Sequence, residues 1–232
     1  MWNENQKPED GGRMTGIRGH PPGLRPQTHA TRALLVLISA PSGGGKTTLC
    51  QQLLAARPDV ARAITCTTRA PRPGEKDGVD YYFLDPATFQ QRVQAGEFLE
   101  HATVFGNRYG TLKSEVLGKL RQGRDVLLNI DVQGAAAIRE RASEEAELQR
   151  ALVSVFLTPP SLAVLEARLR KRGTDASAVI QERLGVARQE IAQWKNFNYL
   201  MISDSIPEDL RRMLAILEAE KLRAARAVPP EL

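Results

Sequence analysis

Near its N-terminus the chain reads Ser39-Ala40-Pro41-Ser42-Gly43-Gly44-Gly45-Lys46-Thr47-Thr48. An apolar run at 34–38 precedes this stretch, and apolar residues at helical spacing follow it at 49–57. A strand, a glycine-rich loop and a helix in this order are the context of a phosphate-binding loop. Its glycines let main-chain N–H groups converge on an anion, and the helix N-terminus adds partial positive charge. We therefore expect bound phosphates here; the alternative is a chance glycine-rich turn with an exposed lysine.

Two side chains of this loop are expected to do chemistry, and one departs from the usual pattern. Lys46 is predicted to reach the β- and γ-phosphates of a nucleoside triphosphate, and the Thr47 hydroxyl is predicted to ligate Mg²⁺. The usual pattern opens with glycine, whereas this chain has Ala40. Because a methyl group is small, we interpret the stretch as a variant of the loop.

Composition limits the class of protein. The chain has 232 residues, of which 42% are hydrophobic and 25% charged, as in globular proteins with a large core. No apolar run approaches a membrane span, and the first residues lack the apolar centre of a signal peptide, so we expect a cytoplasmic protein. Cys50 and Cys66 lack metal-ligand spacing and are expected to be reduced thiols. The net charge of +5 comes without a long basic run, which favours phosphorylated small molecules over nucleic acid as partners.

The chain is predicted to hold one α/β domain between two tails. Residues 1–32 are rich in glycine, proline and polar residues, which predicts a disordered N-terminal tail; an arm that contacts RNA or a partner is less favoured. The domain is predicted at 33–228, with a C-terminal tail at 229–232. Between about 65 and 120, short strands around a proline- and glycine-rich turn predict an inserted lobe. Near-continuous apolar strands elsewhere predict a parallel sheet covered on both faces.

Local patterns also predict the individual elements. Strands are expected at 34–38, in short pieces within 63–84, and at 97–105, 125–131, 152–157 and 199–202. Helices are expected at 49–57, 86–95, 112–120, 132–142, 162–171, 176–194 and 207–227. The strand at 125–131 ends in Asp131, and in P-loop enzymes an acid at such a strand end commonly holds the water shell of Mg²⁺.

Several motifs, in order along the chain, resemble those of guanylate kinase. They are the glycine-rich loop, 65–75 (TCTTRAPRPGE), 78–81 (GVDY), 98–100 (FLE), 109–111 (YGT) and 130–134 (IDVQG). The similarity extends from about 34 to 222, and the segment 67–74 is far more specific than a phosphate loop alone. The resemblance implies a three-layer α/β P-loop NTPase fold with a parallel sheet, an inserted GMP-binding lobe and a lid at about 168–190. It also implies transfer of phosphate from ATP, with Mg²⁺, to GMP and dGMP in purine nucleotide metabolism.

The lobe residues have chemistry that suits GMP. Arg69 and Arg72 are two guanidinium forks on a stiff segment and suit a phosphate dianion, although taken alone they could be exposed turn residues. Guanine offers two donors, N1 and N2, which the Glu100 carboxylate can accept, and an acceptor, O6, which a hydroxyl can serve. Adenine would instead turn an acceptor toward Glu100, which disfavours AMP. By resemblance, the GMP contacts are Thr65, Arg69, Arg72, Tyr81, Glu100, Tyr109, Thr111 and Asp131.

The resemblance assigns the remaining roles. The implied ATP contacts are Ala40, Pro41, Ser42, Gly43, Gly44, Gly45, Lys46, Thr47, Thr48 and Arg168. The implied metal ligands are Thr47 and Asp131. The residues expected to stabilise the transferring charge are Lys46, Arg72, Arg172 and Arg183. No catalytic base is assigned, because the acceptor phosphate oxygen is already ionised.

Some questions stay open at this stage. Relatives often have an acid where this chain has Asn129, and an Asn-Asp pair where it has Ser203-Asp204, so no adenine contact is assigned there. Guanylate-kinase-like domains also occur as non-catalytic modules that bind phosphorylated peptides, but the retained Lys46 and Thr47 favour an enzyme. The oligomeric state is left undecided.

Overall fold

The computed structural model describes residues 32–104, 106–173 and 176–227, without the side chain of Arg172. Its strands are β1 (Leu35–Ser39), β2 (Val60–Arg62), β3 (Cys66–Thr67), β4 (Tyr82–Phe83), β5 (Phe98–Val104), β6 (Asn107–Leu112), β7 (Asp125–Asn129), β8 (Leu152–Thr158) and β9 (Tyr199–Ile202). Its α-helices are α1 (Lys46–Ala56), α2 (Pro86–Gln94), α3 (Lys113–Arg121), α4 (Val132–Glu144), α5 (Ala146–Ala151), α6 (Leu162–Arg172), α7 (Ser177–Ala192) and α8 (Ile206–Lys221). The predicted tails lie outside the described residues, except for Arg32.

Strand β1 is the centre of a five-stranded parallel sheet with the order β2-β7-β1-β8-β9. Every residue of β1 is buried, and its side chains alternate between the two faces. Leu35 and Leu37 pack with apolar residues of α3, α4 and α5, whereas Val36 and Ile38 pack with those of α1 and α8. Helices therefore cover both faces of the sheet, and the predicted three-layer α/β fold is confirmed.

A second, four-stranded sheet has the order β4-β3-β6-β5 and falls within the predicted lobe. β6 pairs antiparallel with both β3 and β5. Phe89 of α2 stacks on Phe98 of β5, with ring centroids 4.5 Å apart, and both rings are buried beside Cys66 and Leu112. This separate apolar cluster gives the lobe a core of its own.

Helices α6 and α7 form a hairpin in the range predicted for the lid. α6 ends at Gly173, whose φ of 67° is the left-handed conformation that glycine adopts most readily. Leu165 and Leu169 of α6 pack against Ile180 and Leu184 of α7 in a small cluster of their own. The hairpin thus has its own apolar contacts. In chain order, α6 follows β8 and α7 precedes β9, and both strands belong to the main sheet.

The structure contains three strands or α-helices that the sequence patterns did not predict. The first is β2, a three-residue strand at the edge of the main sheet that pairs with β7. β6 reads NRYGTL, a mixed polar sequence with an internal glycine, and it is a strand because it has pairing partners on both edges. Helix α5 is only six residues long, and its Leu148 and Ala151 are buried against one face of the main sheet. In all three cases tertiary contacts outweigh a weak local preference.

The boundaries of two helices differ from those predicted by three residues or more. α1 begins at Lys46 rather than at 49, because the polar residues after the glycines form its first turn. α8 ends at Lys221 rather than near 227, since the segment beyond it turns back to the sheet: Arg226 donates hydrogen bonds to the main-chain oxygens of Arg150 and Leu152. No helix in the described part of the chain is long and apolar enough to cross a bilayer.

Candidate active site

The loop between β1 and α1 surrounds a cavity at the carboxyl edge of the main sheet. Gly43 and Gly45 have φ values of 87° and 99°, which residues with a Cβ rarely adopt. The main-chain N–H of Gly44 donates a 2.8 Å hydrogen bond to the oxygen of Pro41, which closes the turn. The cavity has a volume of about 330 Å³ and is lined by residues 40–48, Asp131 and Glu190. The predicted phosphate loop therefore borders a cavity in which a bound phosphate could lie.

Lys46 is one of the residues that line this cavity. Its ammonium donates a 2.8 Å hydrogen bond to the main-chain oxygen of Ile130, just beyond the end of β7. Burial lowers the pKa of Lys46, and the charges of Asp131 and Glu190 act in the opposite direction. Thr47 follows with an exposed side chain. The ammonium is thus held at the end of β7, within the electrostatic influence of two carboxylates.

Asp131 lies near both the phosphate loop and Glu100 of the lobe. It caps α4, since its Oδ1 accepts a 2.8 Å hydrogen bond from the N–H of Gly134. It also lines the loop cavity. Its charge adds to the rise that burial causes in the pKa of Glu100, and it partly opposes the lowering of the pKa of Lys46 by burial. The Thr47 hydroxyl and the Asp131 carboxylate are oxygen ligands of the kind that Mg²⁺ prefers, so the donor set fits this ion.

Glu100 and Thr111 lie side by side on β5 and β6. The Thr111 hydroxyl donates a 2.8 Å hydrogen bond to Oε1 of Glu100. Burial raises the pKa of Glu100, and this hydrogen bond partly opposes the rise. A Cβ added at Gly134 would lie 3.3 Å from Oε2 of Glu100, so this second oxygen faces the start of α4. Thr65 is half-buried in the loop before β3.

Arg69 is held by partners on three sides. Its Nη2 lies 2.8 Å and 2.9 Å from the two carboxylate oxygens of Glu75. Its guanidinium lies 5.5 Å from the ring centroid of Tyr81, and the Tyr109 hydroxyl is a further hydrogen-bond partner. The Tyr81 and Tyr109 rings meet edge to face at 6.3 Å. These three predicted residues are brought together in one cluster.

Glu75 is a residue of this cluster to which the sequence motifs gave no role. Besides pairing with Arg69, it accepts a 2.7 Å hydrogen bond from the main-chain N–H of Arg72. The Arg72 side chain is exposed and makes no hydrogen bond or ion pair with any residue in the described part of the chain. Glu75 therefore fixes the path of the segment from which Arg72 projects. Its place in the 65–75 motif was the available signal.

The predicted lid arginines lie in different environments. Arg168 is half-buried next to the phosphate loop, where a Cβ added at Gly45 would lie 3.9 Å from its Nη1. Arg183 is half-buried on α7. Arg172 ends α6, and its side chain lies outside the description. The roles assigned to these three residues remain predictions.

Two further carboxylates near the loop were not identified from sequence. Glu190 of α7 lines the loop cavity. Burial raises its pKa, and a hydrogen bond from the main-chain N–H of Ser42 only partly opposes this rise. Asp209 of α8 is buried beside Ser203 and contacts its hydroxyl. Neither belongs to a recognisable local motif, so no sequence signal was available for them.

Comparison with known proteins supports the family indicated by the motifs. The family model described as "Guanylate kinase" matches residues 32–220. Three curated guanylate kinases are similar: those of Alcanivorax borkumensis (47% identity over 199 residues, 86% of this chain and 93% of the relative), Coxiella burnetii (45% over 192 residues, 83% and 90%) and Maricaulis maris (44% over 195 residues, 84% and 87%).

A solved structure gives the same result at the level of the fold. The crystal structure of guanylate kinase from Anaplasma phagocytophilum is 33% identical, with a TM-score of 0.66, and the match covers 85% of this chain and 91% of that one. The phosphate loop, the lobe with Glu100 and the extent of these matches lead to one conclusion: this chain belongs to the guanylate kinase family.

Proposed function

We propose that this protein transfers the γ-phosphate of ATP to GMP, giving ADP and GDP, with dGMP as a second acceptor, and that it does so in cytoplasmic purine metabolism. The observation that carries the proposal is the position of Asp131. This residue lines the cavity of the phosphate loop, and its charge acts on both Lys46 and Glu100. Asp131 also accepts from the N–H of Gly134, and a Cβ there would lie 3.3 Å from Oε2 of Glu100, so a loop suited to a triphosphate and a carboxylate suited to guanine both lie near this side chain.

Guanine recognition is assigned to Glu100 and Thr111. An ionised Glu100 accepts hydrogen bonds from N1 and N2 of guanine, and Thr111 keeps one carboxylate oxygen in place through its 2.8 Å hydrogen bond. Because Glu100 is largely buried, a base that cannot supply these donors leaves the carboxylate without compensation. Discrimination of this kind can reach roughly 10⁴-fold.

The phosphate of GMP is assigned to the segment around Arg69. Tyr81, Tyr109 and Glu75 hold the guanidinium of Arg69, while that of Arg72 is exposed and available to a dianion. A guanidinium fork makes paired hydrogen bonds with phosphate oxygens in a defined orientation. This segment would therefore orient an acceptor oxygen toward the loop.

The triphosphate of ATP is assigned to the main-chain N–H groups of the loop and to Lys46. Thr47 and Asp131 would hold Mg²⁺, which supplies charge neutralisation at the phosphates when bound. Lys46, Arg72 and the arginines of α6 and α7 would balance the charge on the transferring group. An oxygen of the GMP phosphate forms the new bond to the γ-phosphorus, the bond to the bridging oxygen of ADP breaks, and no base has to remove a proton.

A coupled assay with ATP and Mg²⁺ tests the proposal against GMP, AMP, CMP and UMP. GMP should be preferred by orders of magnitude, and chelation of Mg²⁺ should abolish turnover. Comparable turnover of AMP would contradict the assignment of Glu100. Failure to phosphorylate GMP, together with tight binding of a phosphorylated peptide, would instead indicate a non-catalytic module.

A further inference from the structure

The lobe is inserted between two neighbouring strands of the main sheet, so the chain passes between the two sheets twice. The first junction is the short segment 63–65 between β2 and β3, and the second is helix α3, between β6 and β7. Val116 and Leu120 of α3 pack in the apolar cluster against the main sheet, whereas Tyr82 of β4 packs against that of the lobe. Contacts that join α3 to the first junction and to β4 therefore help to set how the lobe lies on the main sheet.

Glu115 of α3 contacts the first junction and the lobe at the same time. Its Oε1 accepts a 2.8 Å hydrogen bond from the main-chain N–H of Ile64, and its Oε2 accepts a 3.2 Å hydrogen bond from the Tyr82 hydroxyl. The Glu115 side chain is only 10% exposed, so water competes little for these donors. Burial and the charge of Glu115 raise the pKa of Tyr82, which keeps the hydroxyl protonated as a donor. Each carboxylate oxygen thus holds a different part of the chain.

Lys119 extends this set of contacts to the main sheet. It lies one helical turn after Glu115, and its ammonium pairs with the Glu115 carboxylate. The same ammonium donates a 3.1 Å hydrogen bond to the main-chain oxygen of Arg62, the last residue of β2. A continuous series of polar contacts therefore runs from β2 through α3 to β4.

The two residues that Glu115 holds are sequence neighbours of two proposed GMP contacts. Ile64 precedes Thr65, and Tyr82 follows Tyr81. The main-chain N–H of Tyr82 also donates a 3.0 Å hydrogen bond to the main-chain oxygen of Thr65, so the two segments are joined to each other. A displacement of either segment would therefore move side chains that are assigned to GMP.

We propose that Glu115 is a positioning residue for the acceptor nucleotide. By holding Ile64 and Tyr82 together, it fixes the two segments that carry the neighbouring GMP contacts, and so the orientation of GMP toward the phosphate loop. The inference rests on the proposed phosphorylation of GMP. Glu115 acts through these neighbours and not by contact with a nucleotide. Loss of its carboxylate should weaken the use of GMP and leave the binding of ATP, whose proposed contacts lie on the phosphate loop, close to normal.

Glu115→Ala and Tyr82→Phe test this role, singly and combined, with kcat/KM for GMP, the Kd of ATP and the melting temperature as readouts. Glu115→Ala removes both acceptors and should lower kcat/KM for GMP by roughly tenfold, on the scale of a donor left without its partner. Tyr82→Phe removes one hydroxyl and should cause a smaller fall. Because the two side chains act through a shared hydrogen bond, the double variant should be no worse than Glu115→Ala, whereas independent effects would multiply. The Kd of ATP should stay close to the wild-type value in all three variants.

Glu147→Ala is the matched control, because it also removes a carboxylate that is bound to α3. Glu147 belongs to α5 and pairs with Arg121, the last residue of α3, and both of these side chains are exposed. This control should leave kcat/KM for GMP unchanged. A general loss of structure would raise the Kd of ATP and lower the melting temperature, so the difference between GMP and ATP separates positioning from folding.

Tyr82→Phe decides the question if Glu115→Ala does not fold, since it deletes a single oxygen atom. An unchanged kcat/KM for GMP in the folded variants would overturn this inference and leave the proposed function standing. An equal loss toward GMP and ATP, or effects that multiply in a folded double variant, would overturn it in the same way. Wild-type protein that does not phosphorylate GMP would overturn the proposed function, and this inference with it.

Discussion

The ammonium of Lys46 and the main-chain oxygen of Ile130 are joined by a 2.8 Å hydrogen bond across the carboxyl edge of the main sheet. Lys46 opens α1, and Ile130 follows the end of β7, so the bond links the phosphate loop to the strand that carries Asp131. Burial lowers the pKa of Lys46, but neighbouring carboxylates favour the charged form. The hydrogen bond therefore fixes the position of the charge, which is what the proposed stabilisation of a transferring phosphate requires.

Replacement of Lys46 with alanine should reduce kcat by roughly 10²-fold or more, the scale expected for loss of one preorganised charge contact. The fold should survive, because Lys46 belongs to none of the apolar clusters of the described residues. Binding of GMP should also survive, since its proposed contacts lie in the lobe. Kinetics, GMP calorimetry and a thermal melt on the same variant check the three expectations. A variant that keeps full kcat would remove Lys46 from the mechanism; Lys46→Met is the alternative if alanine destabilises the loop.

Binding of GMP should weaken on acidification at a higher pH than an ordinary glutamate would cause. Burial raises the pKa of Glu100, so its carboxyl takes up a proton early as the pH falls and can no longer accept from both N1 and N2 of guanine. The measurement is the Kd of GMP against pH, by calorimetry without ATP. Glu100→Gln is the control: it should bind GMP weakly and lack this component, while protonation of the GMP phosphate affects both proteins alike. Identical pH profiles would show that Glu100 does not face the base.

Arg72→Lys should raise KM for GMP more than KM for ATP. A lysine keeps the charge but cannot form the paired hydrogen bonds that a guanidinium makes with phosphate. Arg62, also exposed, donates to the main-chain oxygen of Asp80 and lies outside the proposed phosphate cluster, so Arg62→Lys is a suitable control. Steady-state kinetics with each substrate varied in turn give the comparison. Equal damage to both substrates would place Arg72 at the shared reaction centre.

Glu75→Gln should likewise act on GMP and spare ATP, although Glu75 itself is not expected to contact either nucleotide. Its carboxylate holds the Arg69 guanidinium and the Arg72 main chain, and a neutral amide would hold the guanidinium less firmly. We expect a several-fold rise in KM for GMP with little change in the melting temperature, because the side chains of Arg69 and Glu75 are partly exposed and lie outside the apolar cluster of the lobe. If KM for GMP is unaffected, the pairing is not needed to orient Arg69.

Gly43→Ala should destabilise the protein by about 1–2 kcal/mol through the left-handed backbone alone. Its φ is 87°, and a Cβ would also lie 2.9 Å from Cδ2 of Leu169, so the Leu169 side chain would have to move. The melting temperature should fall by about 2–8 °C for a protein of this size, and KM for ATP should rise. Gly118→Ala in α3 is the control, since a Cβ there meets nothing within 4 Å; it should be neutral or slightly stabilising. An unchanged melting temperature in Gly43→Ala would contradict the strain argument.

Four of the five strands of the main sheet could be predicted from sequence because their signals are local, whereas the three-residue edge strand β2 was missed. An apolar run, a glycine loop and a helical pattern occupy adjacent residues, and the order of such units implies a parallel sheet covered by helices. β9, predicted at 199–202, is found as Tyr199–Ile202. β6 was missed because its mixed sequence has no strong alternation, and its strand conformation comes from pairing on both edges.

The residues of the candidate site also fall into two groups, those that local motifs predicted and those that only the packing of separate elements brought together. Consecutive residues were enough to identify the phosphate loop and the motif that contains Arg69 and Arg72, because each is a short segment with its own chemistry. The pairing of Glu100 with Thr111, and the approach of Glu190 and Asp209 to the loop, join residues from separate elements. Hydrogen bonds of this kind depend on distances and directions between side chains, and these exist only once the sheets and helices have packed. The motifs therefore indicated the family, whereas packing decided which carboxylate holds which donor.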